Sequence, residues 1–115
     1  MTNSMPVNVA IMLPIWAGAT DTGNGWRHSS WFGNFAEMGL PVVWHAEHGW
    51  IAPLGTDPSS IWYWAAGPKW LWTSSTVYPF VWSDQLHSWL WYYRNTGNGI
   101  GGWYYNYAAG QTQWM

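Results

Sequence analysis

The segment SIWYWAAGPKWLWTS (residues 60–74) decides the fold class. Two runs rich in aromatic and β-branched residues, SIWYW and WLWTS, flank AAGPK, whose Gly and Pro favour a tight turn. Side chains alternate across a strand, so Trp62 and Trp64 share one face of the first strand while Tyr63 lies on the other. The segment therefore predicts a β-hairpin whose strands are apolar on both faces.

The same pattern continues along most of the chain. From residue 42 onward, short aromatic and β-branched runs alternate with Gly, Pro, Asp, Asn and Ser, the residues that build turns. The predicted strands are VVWH (42–45), WIAP (50–53), SIWYW (60–64), WLWTS (70–74), YPFVWS (78–83), SWLWYY (88–93) and GWYYNY (102–107). Upstream, residues 7–16 and 26–35 are further strand candidates on either side of a polar loop at residues 20–25. No window free of Gly and Pro carries a helical period, so helix is not expected.

The sequence predicts a single all-β domain over residues 1–115, with N-terminal strands in 7–35 and tandem aromatic hairpins in 42–107. We expect an antiparallel meander of about seven to nine short strands in consecutive hairpins, forming a small barrel, a sandwich or a sheet of stacked hairpins. A length of 115 residues suits one core.

Composition restricts the possible functions. Charged residues make up 7% of the chain and the net charge is −2. Three Lys and Arg residues provide no basic stripe to neutralise phosphates, so nucleic acid is not an expected partner. The absence of Cys leaves the redox compartment open.

The apolar segment from Val7 to Ala19 is too short to span a membrane as a helix, and Pro14 interrupts it. We expect a strand there.

The densest set of polar functional groups is WHAEHGW (44–50). Its two His and one Glu suggest a metal site, but the spacing straddles a predicted turn and lacks the helical geometry of the HExxH motif. The alternative, which we favour, places Glu47 and His48 in a turn, with Gly49 at a positive φ angle and His45 hydrogen-bonded between rings. No metal or cofactor is therefore predicted.

The sequence contains no clear catalytic motif. Most of the five carboxylates lie beside Gly, Pro, Gln or Asn in expected turns, where acidic residues are common for conformational reasons. The serines lack a nucleophile-elbow pattern. The glycines at positions 97, 99, 101 and 102 have no Lys and no following helix, so they predict a flexible hairpin loop rather than a phosphate loop. The chain is not predicted to be an enzyme.

The aromatic residues are the best candidates for binding. Trp, Tyr and Phe make up 21% of the chain, and a domain of this size cannot bury so many large rings completely. Arg27 and Arg94 border aromatic runs and are expected to lie across ring faces. Exposed rings near Asn, Gln and Asp are typical of sugar-binding platforms, and the alternative is that the same rings form the core. The candidates for stacking or self-association are Trp62, Trp64, Trp72, Trp91, Trp103 and Tyr105.

The strings WFGNF, PVVWHAEHGWI, SIWYW, WLWTSSTVYPFVW and SWLWYY together resemble a known kind of domain. Across roughly residues 30–107 the chain is similar to aromatic-rich β-repeat domains at the C-terminal ends of some bacterial surface and secreted proteins, in which HAEHGW-like, WLWT-like and YP-containing segments recur in this order. The resemblance implies a non-catalytic module that is extracellular or at the cell surface. A looser similarity to choline-binding repeats implies stacked hairpins.

Two functions follow as predictions. The first is a structural protein that self-associates through aromatic sheet faces into an extracellular homo-oligomer or filament. Few charged residues are available to protect its strand edges from pairing. A head-to-tail contact between copies that does not close into a ring produces a filament. The second is a carbohydrate-binding module or lectin that stacks a polysaccharide on exposed Trp and Tyr.

Overall fold

The computed structural model describes residues 14–39 and 41–115. A short 3₁₀ helix (Pro14–Trp16) precedes the strands β1 (Thr20–Gly23), β2 (Trp26–Ser29), β3 (Gly33–Glu37), β4 (Val43–His45), β5 (Gly49–Asp57), β6 (Ser60–Ala65), β7 (Lys69–Ser74), β8 (Phe80–Ser83), β9 (Ser88–Tyr92), β10 (Trp103–Asn106) and β11 (Gln111–Trp114). They form one open 11-stranded antiparallel sheet in which the spatial order equals the sequence order. The prediction of an all-β meander of consecutive hairpins is confirmed, but the described residues form eleven strands where about seven to nine were expected, because residues 20–37 hold three strands and Gln111–Trp114 adds another.

The N-terminal predictions need correction. Residues 26–35 form two strands, because a turn begins after β2, where the Ser29 hydroxyl accepts a hydrogen bond of 3.0 Å from the Phe32 amide. The predicted polar loop at residues 20–25 is instead β1 and a tight turn at Asn24 and Gly25, both at positive φ. Pro14–Trp16, the described end of the predicted strand 7–16, is a 3₁₀ helix, and residues 7–13 lie outside the described residues.

The predicted facing of the aromatic hairpins is confirmed. Trp62 lies opposite Trp72 in the β6–β7 register. Tyr63 and Leu71, which alternate with these indoles, are fully buried. We call the buried side of the sheet the inner face and the indole side the outer face. The same alternation buries Val81 and Leu90, so the core lies on the inner face throughout β6–β9.

Turns and loops cover the inner face. Trp16 of the 3₁₀ helix packs against Phe35 with ring centroids 4.3 Å apart. Phe32, from the turn between β2 and β3, contacts Tyr63 at 5.5 Å and Tyr78, from the turn between β7 and β8, at 5.4 Å. These rings seal the core with aromatic area, the largest apolar contribution per side chain. Within the described ranges, no helix has the length and apolar character needed to cross a membrane.

Candidate functional site

A row of indole rings crosses the outer face from β6 to β9. Trp72 pairs with Trp62 on one side and with Trp82 on the other, and Trp82 pairs with Trp89. We call these residues the indole row. The rings of Trp82 and Trp89 meet edge to face at 5.6 Å, and those of Trp72 and Trp89 at 6.2 Å, the arrangement that aromatic quadrupoles prefer. At the ends of the row, Trp62 is 36% and Trp89 39% exposed. The row is a self-supporting apolar strip that remains partly open to solvent.

A groove with a different chemistry adjoins this row over β8–β10. We call it the aromatic groove, and it is lined by Phe80, Trp91, Tyr93, Tyr105 and Tyr107. Phe80 lies opposite Trp91, and Trp91 lies opposite Tyr105 in the strand register. The groove therefore presents tyrosine hydroxyls beside ring faces, which the indole row does not.

The predicted binding residues all lie on the outer face but do not form a single site. Trp62 and Trp72 belong to the indole row, Trp91 and Tyr105 line the aromatic groove, Trp64 lies opposite Trp70, and Trp103 lies opposite Trp114. None of these predicted residues belongs to the buried core cluster, so the alternative that this stripe forms the core is wrong. Sequence reasoning missed Tyr93 and Tyr107. Each lies two residues after a predicted residue, Trp91 and Tyr105 respectively, and alternation therefore places it on the same face.

The two arginines differ in their surroundings. The Arg94 guanidinium lies 5.2 Å from the centroid of the Tyr78 ring and donates a hydrogen bond to the Tyr78 carbonyl at 3.1 Å. The prediction for Arg94 is therefore confirmed. Arg27 instead forms an ion pair with Glu37 on the neighbouring strand, so the prediction of a ring contact there is wrong.

Hydrogen-bonded histidines lie inside the fold at the β4–β5 turn. His45 is fully buried and donates from Nε2 to the Phe32 carbonyl at 2.6 Å. Its Nδ1 accepts the amide protons of Glu47 and His48, each at 3.1 Å, which fixes the neutral tautomer. Gly49 follows at φ 75°. The predicted turn, and the role of His45 as a hydrogen-bonding residue between rings, are confirmed.

His48 is surrounded by tyrosines. Its Nε2 lies 2.9 Å from the Tyr78 hydroxyl, and its ring packs 4.6 Å from that of Tyr92. Burial, together with the neighbouring His45, lowers the pKa of His48 well below 6.5, and burial raises the pKa of Tyr78 and of Tyr92 above the usual value. The imidazole of His48 and the phenols of Tyr78 and Tyr92 are therefore neutral at pH 7. They act as fixed hydrogen-bonding groups rather than as a path for proton transfer.

Glu47 fastens two distant parts of the chain together. Its carboxylate Oε1 accepts hydrogen bonds from the Tyr92 hydroxyl and from the Asn95 amide, both at 2.6 Å. Its carbonyl accepts the Gly99 amide at 3.0 Å. We call these contacts the Glu47 clasp. The clasp holds the loop between β9 and β10 against the turn between β4 and β5.

The glycines of the β9–β10 loop allow this close approach. A Cβ atom on Gly97 would lie 2.5 Å from the Glu47 carbonyl oxygen, and one on Gly99 would lie 2.7 Å from the Trp44 ring. Distances this short do not occur between real atoms of these types. The hairpin connection predicted from these glycines is confirmed, but tight packing, not flexibility, accounts for them.

The described residues contain no group of three or more His, Cys, Asp or Glu side chains arranged to hold a metal ion. Comparison of the chain with protein-family models, with curated protein sequences and with solved structures gives no match. The resemblance to bacterial aromatic repeat domains therefore stays a prediction. The function has to be inferred from the geometry of the outer face.

Proposed function

We propose that this protein is a non-catalytic structural module that self-associates through the indole row. The observation that carries the proposal is a sheet with its core on one face and a strip of partly exposed indoles on the other. Contiguous exposed apolar surface on a small protein marks an interaction site. Covering this strip with a second copy removes apolar area from water without disturbing the core.

The indole N–H at the centre of the row is compatible with an apolar partner. The indole Nε1 of Trp72 already donates a hydrogen bond of 3.1 Å to the Ser60 hydroxyl. An apolar partner therefore leaves this group satisfied, whereas leaving a buried donor unpaired costs about 1–3 kcal/mol. Arg27 and Arg94, which are engaged with Glu37 and Tyr78, give no support to a nucleic-acid partner.

The sheet edges favour association through faces over the addition of strands. Within the described residues, the edge strands are β1 and β11, which have four residues each, and the register of β1 shifts between Asp21 and Gly23. Short and irregular edges are the devices by which natural sheets limit edge-to-edge pairing. The smallest oligomer is therefore a face-to-face dimer, and an offset contact of the same faces repeats into a filament. An extracellular or cell-surface location is supported by the sequence resemblance alone.

The test is the oligomeric state of the purified chain, measured by sedimentation velocity from about 1 to 100 µM. This range detects self-association with a dissociation constant in the micromolar range. Trp62→Lys inserts a charge at one end of the indole row and is expected to weaken association by at least about tenfold. The matched control is Trp50→Lys, which changes an outer-face indole that is 51% exposed and lies outside the row. Circular dichroism checks that both variants remain folded.

Two results would overturn the proposal. One is a monomeric wild-type chain over the whole concentration range. The other is association that Trp62→Lys and Trp50→Lys reduce equally, since that result would place the contact elsewhere on the molecule.

A further inference from the structure

The aromatic groove combines ring faces with exposed hydroxyls. Phe80 and Trp91 meet edge to face in its lining, with ring centroids 4.6 Å apart and planes at 79°. Tyr105 and Tyr107 form one wall at 4.9 Å and 74°. Tyr107 is 52% exposed, and Tyr93, on the other side, is 38% exposed. The surface is an open concavity lined by aromatic rings alone.

The hydrogen-bonding groups of the groove are free to meet a ligand. Within the described part of the chain, the hydroxyls of Tyr93, Tyr105 and Tyr107 have no hydrogen-bond partner, in contrast with the Tyr92 hydroxyl in the Glu47 clasp. The indole N–H of Trp91 is unpaired there as well. These groups donate hydrogen bonds, and the phenol oxygens also accept them.

The lining also limits the charge of the ligand. It contains no Asp, Glu, Lys, Arg or His. A charged ligand would lose hydration in contact with the rings and would gain no ion pair in return. The groove therefore selects an uncharged molecule that has an apolar face and hydroxyls around its rim.

A pyranose ring has this combination, because its C–H face is apolar and its hydroxyls radiate outward. We infer that the aromatic groove binds an uncharged polysaccharide, with sugar rings stacked on Phe80 and Trp91 and sugar hydroxyls hydrogen-bonded to the surrounding tyrosines. A second copy of this chain is a poorer occupant, because its apolar indole row would bury the tyrosine hydroxyls without acceptors. Phe80 and Tyr107 also line a pocket with Trp89 of the indole row, so the sugar site and the self-association surface adjoin. The two proposals are told apart by residues that belong to one surface alone, Trp62 for self-association and Trp91 for sugar binding.

The experiment is affinity electrophoresis in native gels that contain a soluble polysaccharide. The uncharged probes are galactomannan, xyloglucan, laminarin and hydroxyethyl cellulose, and the charged probes are alginate and polygalacturonate. We expect at least one uncharged probe to retard the wild-type chain, and the charged probes to leave its mobility unchanged. A sedimentation run at the loading concentration separates sugar binding from self-association.

Three variants locate the binding. Trp91→Ala is expected to abolish the retardation, and Tyr105→Phe, which removes one hydroxyl and keeps the ring, to weaken the apparent affinity about tenfold. Trp64→Ala, an outer-face indole outside the groove, is the matched control and is expected to leave the retardation unchanged. The inference is overturned if no uncharged probe retards the wild-type chain, if only charged probes do, or if the groove variants bind as well as the control. Tyr105→Phe keeps the test decisive if Trp91→Ala does not fold.

Discussion

Replacing Glu47 by alanine removes the side-chain part of the clasp. The carboxylate accepts two hydrogen bonds, from the Tyr92 hydroxyl and the Asn95 amide, both at 2.6 Å. Hydrogen bonds to a charged group contribute about 1.5–3 kcal/mol each to stability. The bond from Tyr92 is partly buried and belongs in the upper half of that range, while the bond from the exposed Asn95 amide belongs near its lower end. We therefore expect Glu47→Ala to lower the free energy of unfolding by about 3–5 kcal/mol.

Two further variants separate charge from packing. Glu47→Gln keeps an acceptor oxygen but loses the charge. Two neutral hydrogen bonds contribute about 1–3 kcal/mol in place of about 3–5 kcal/mol for the charged pair, so this variant is expected to cost about 2 kcal/mol. The matched control is Glu37→Ala, which removes the partner of Arg27 in a partly exposed ion pair. Such a pair contributes at most about 1 kcal/mol.

The assay is equilibrium unfolding in urea, followed by circular dichroism and by tryptophan fluorescence at pH 7.5. A double-mutant cycle of Glu47→Ala with Tyr92→Phe is expected to give a coupling free energy of about 1–2 kcal/mol, because the two side chains share a hydrogen bond. The reasoning is refuted if Glu47→Ala costs no more than Glu37→Ala, or if the effects of Glu47→Ala and Tyr92→Phe simply add.

Two other predictions concern the same region of the fold. Gly97→Ala places a Cβ 2.5 Å from a backbone carbonyl oxygen. Gly110→Ala meets no atom within 4 Å, and its cost, about 1 kcal/mol, comes from the φ angle of 68° at that position. Gly97→Ala is expected to lose at least about 1 kcal/mol more than Gly110→Ala in urea unfolding, and equal losses would contradict the packing of the loop. Burial lowers the pKa of both His45 and His48 below 6.5, so the unfolded chain binds more protons than the folded chain as the pH falls through 6.5. The free energy of unfolding is therefore expected to fall by up to about 1.4 kcal/mol per histidine between pH 7.5 and 5.5. A flat profile would be inconsistent with buried neutral imidazoles at positions 45 and 48.

Alternation of side chains made the central hairpins predictable from sequence. In β6 and in β7 two indoles flank a buried Tyr or Leu, so the inner and outer faces follow directly from parity. The edge strands have no such signal. β1 (Thr20–Gly23) is exposed at every position, and β11 (Gln111–Trp114) has one apolar residue, so neither has the hydrophobic pattern by which strands are recognised.

The candidate site was predictable only in part, for a related reason. Parity places Trp91 and Tyr105 on the outer face, but it does not show that Phe80 and Tyr107 come together beside them to form a groove. The Glu47 clasp depends on a contact between residues 45 positions apart. A contact of that kind depends on how the sheet curls and on how closely the β9–β10 loop approaches, and no local pattern encodes either.

The pairing of every strand with its neighbours in sequence has a consequence for how this chain is made. Each hairpin completes its backbone hydrogen bonds as soon as it has left the ribosome or a translocation pore, without waiting for a distant partner. The Glu47 clasp joins more distant parts of the chain, and it closes only when the chain has been made as far as Gly99. The clasp residues are therefore all present in the growing chain before the final hairpin of β10 and β11 is made.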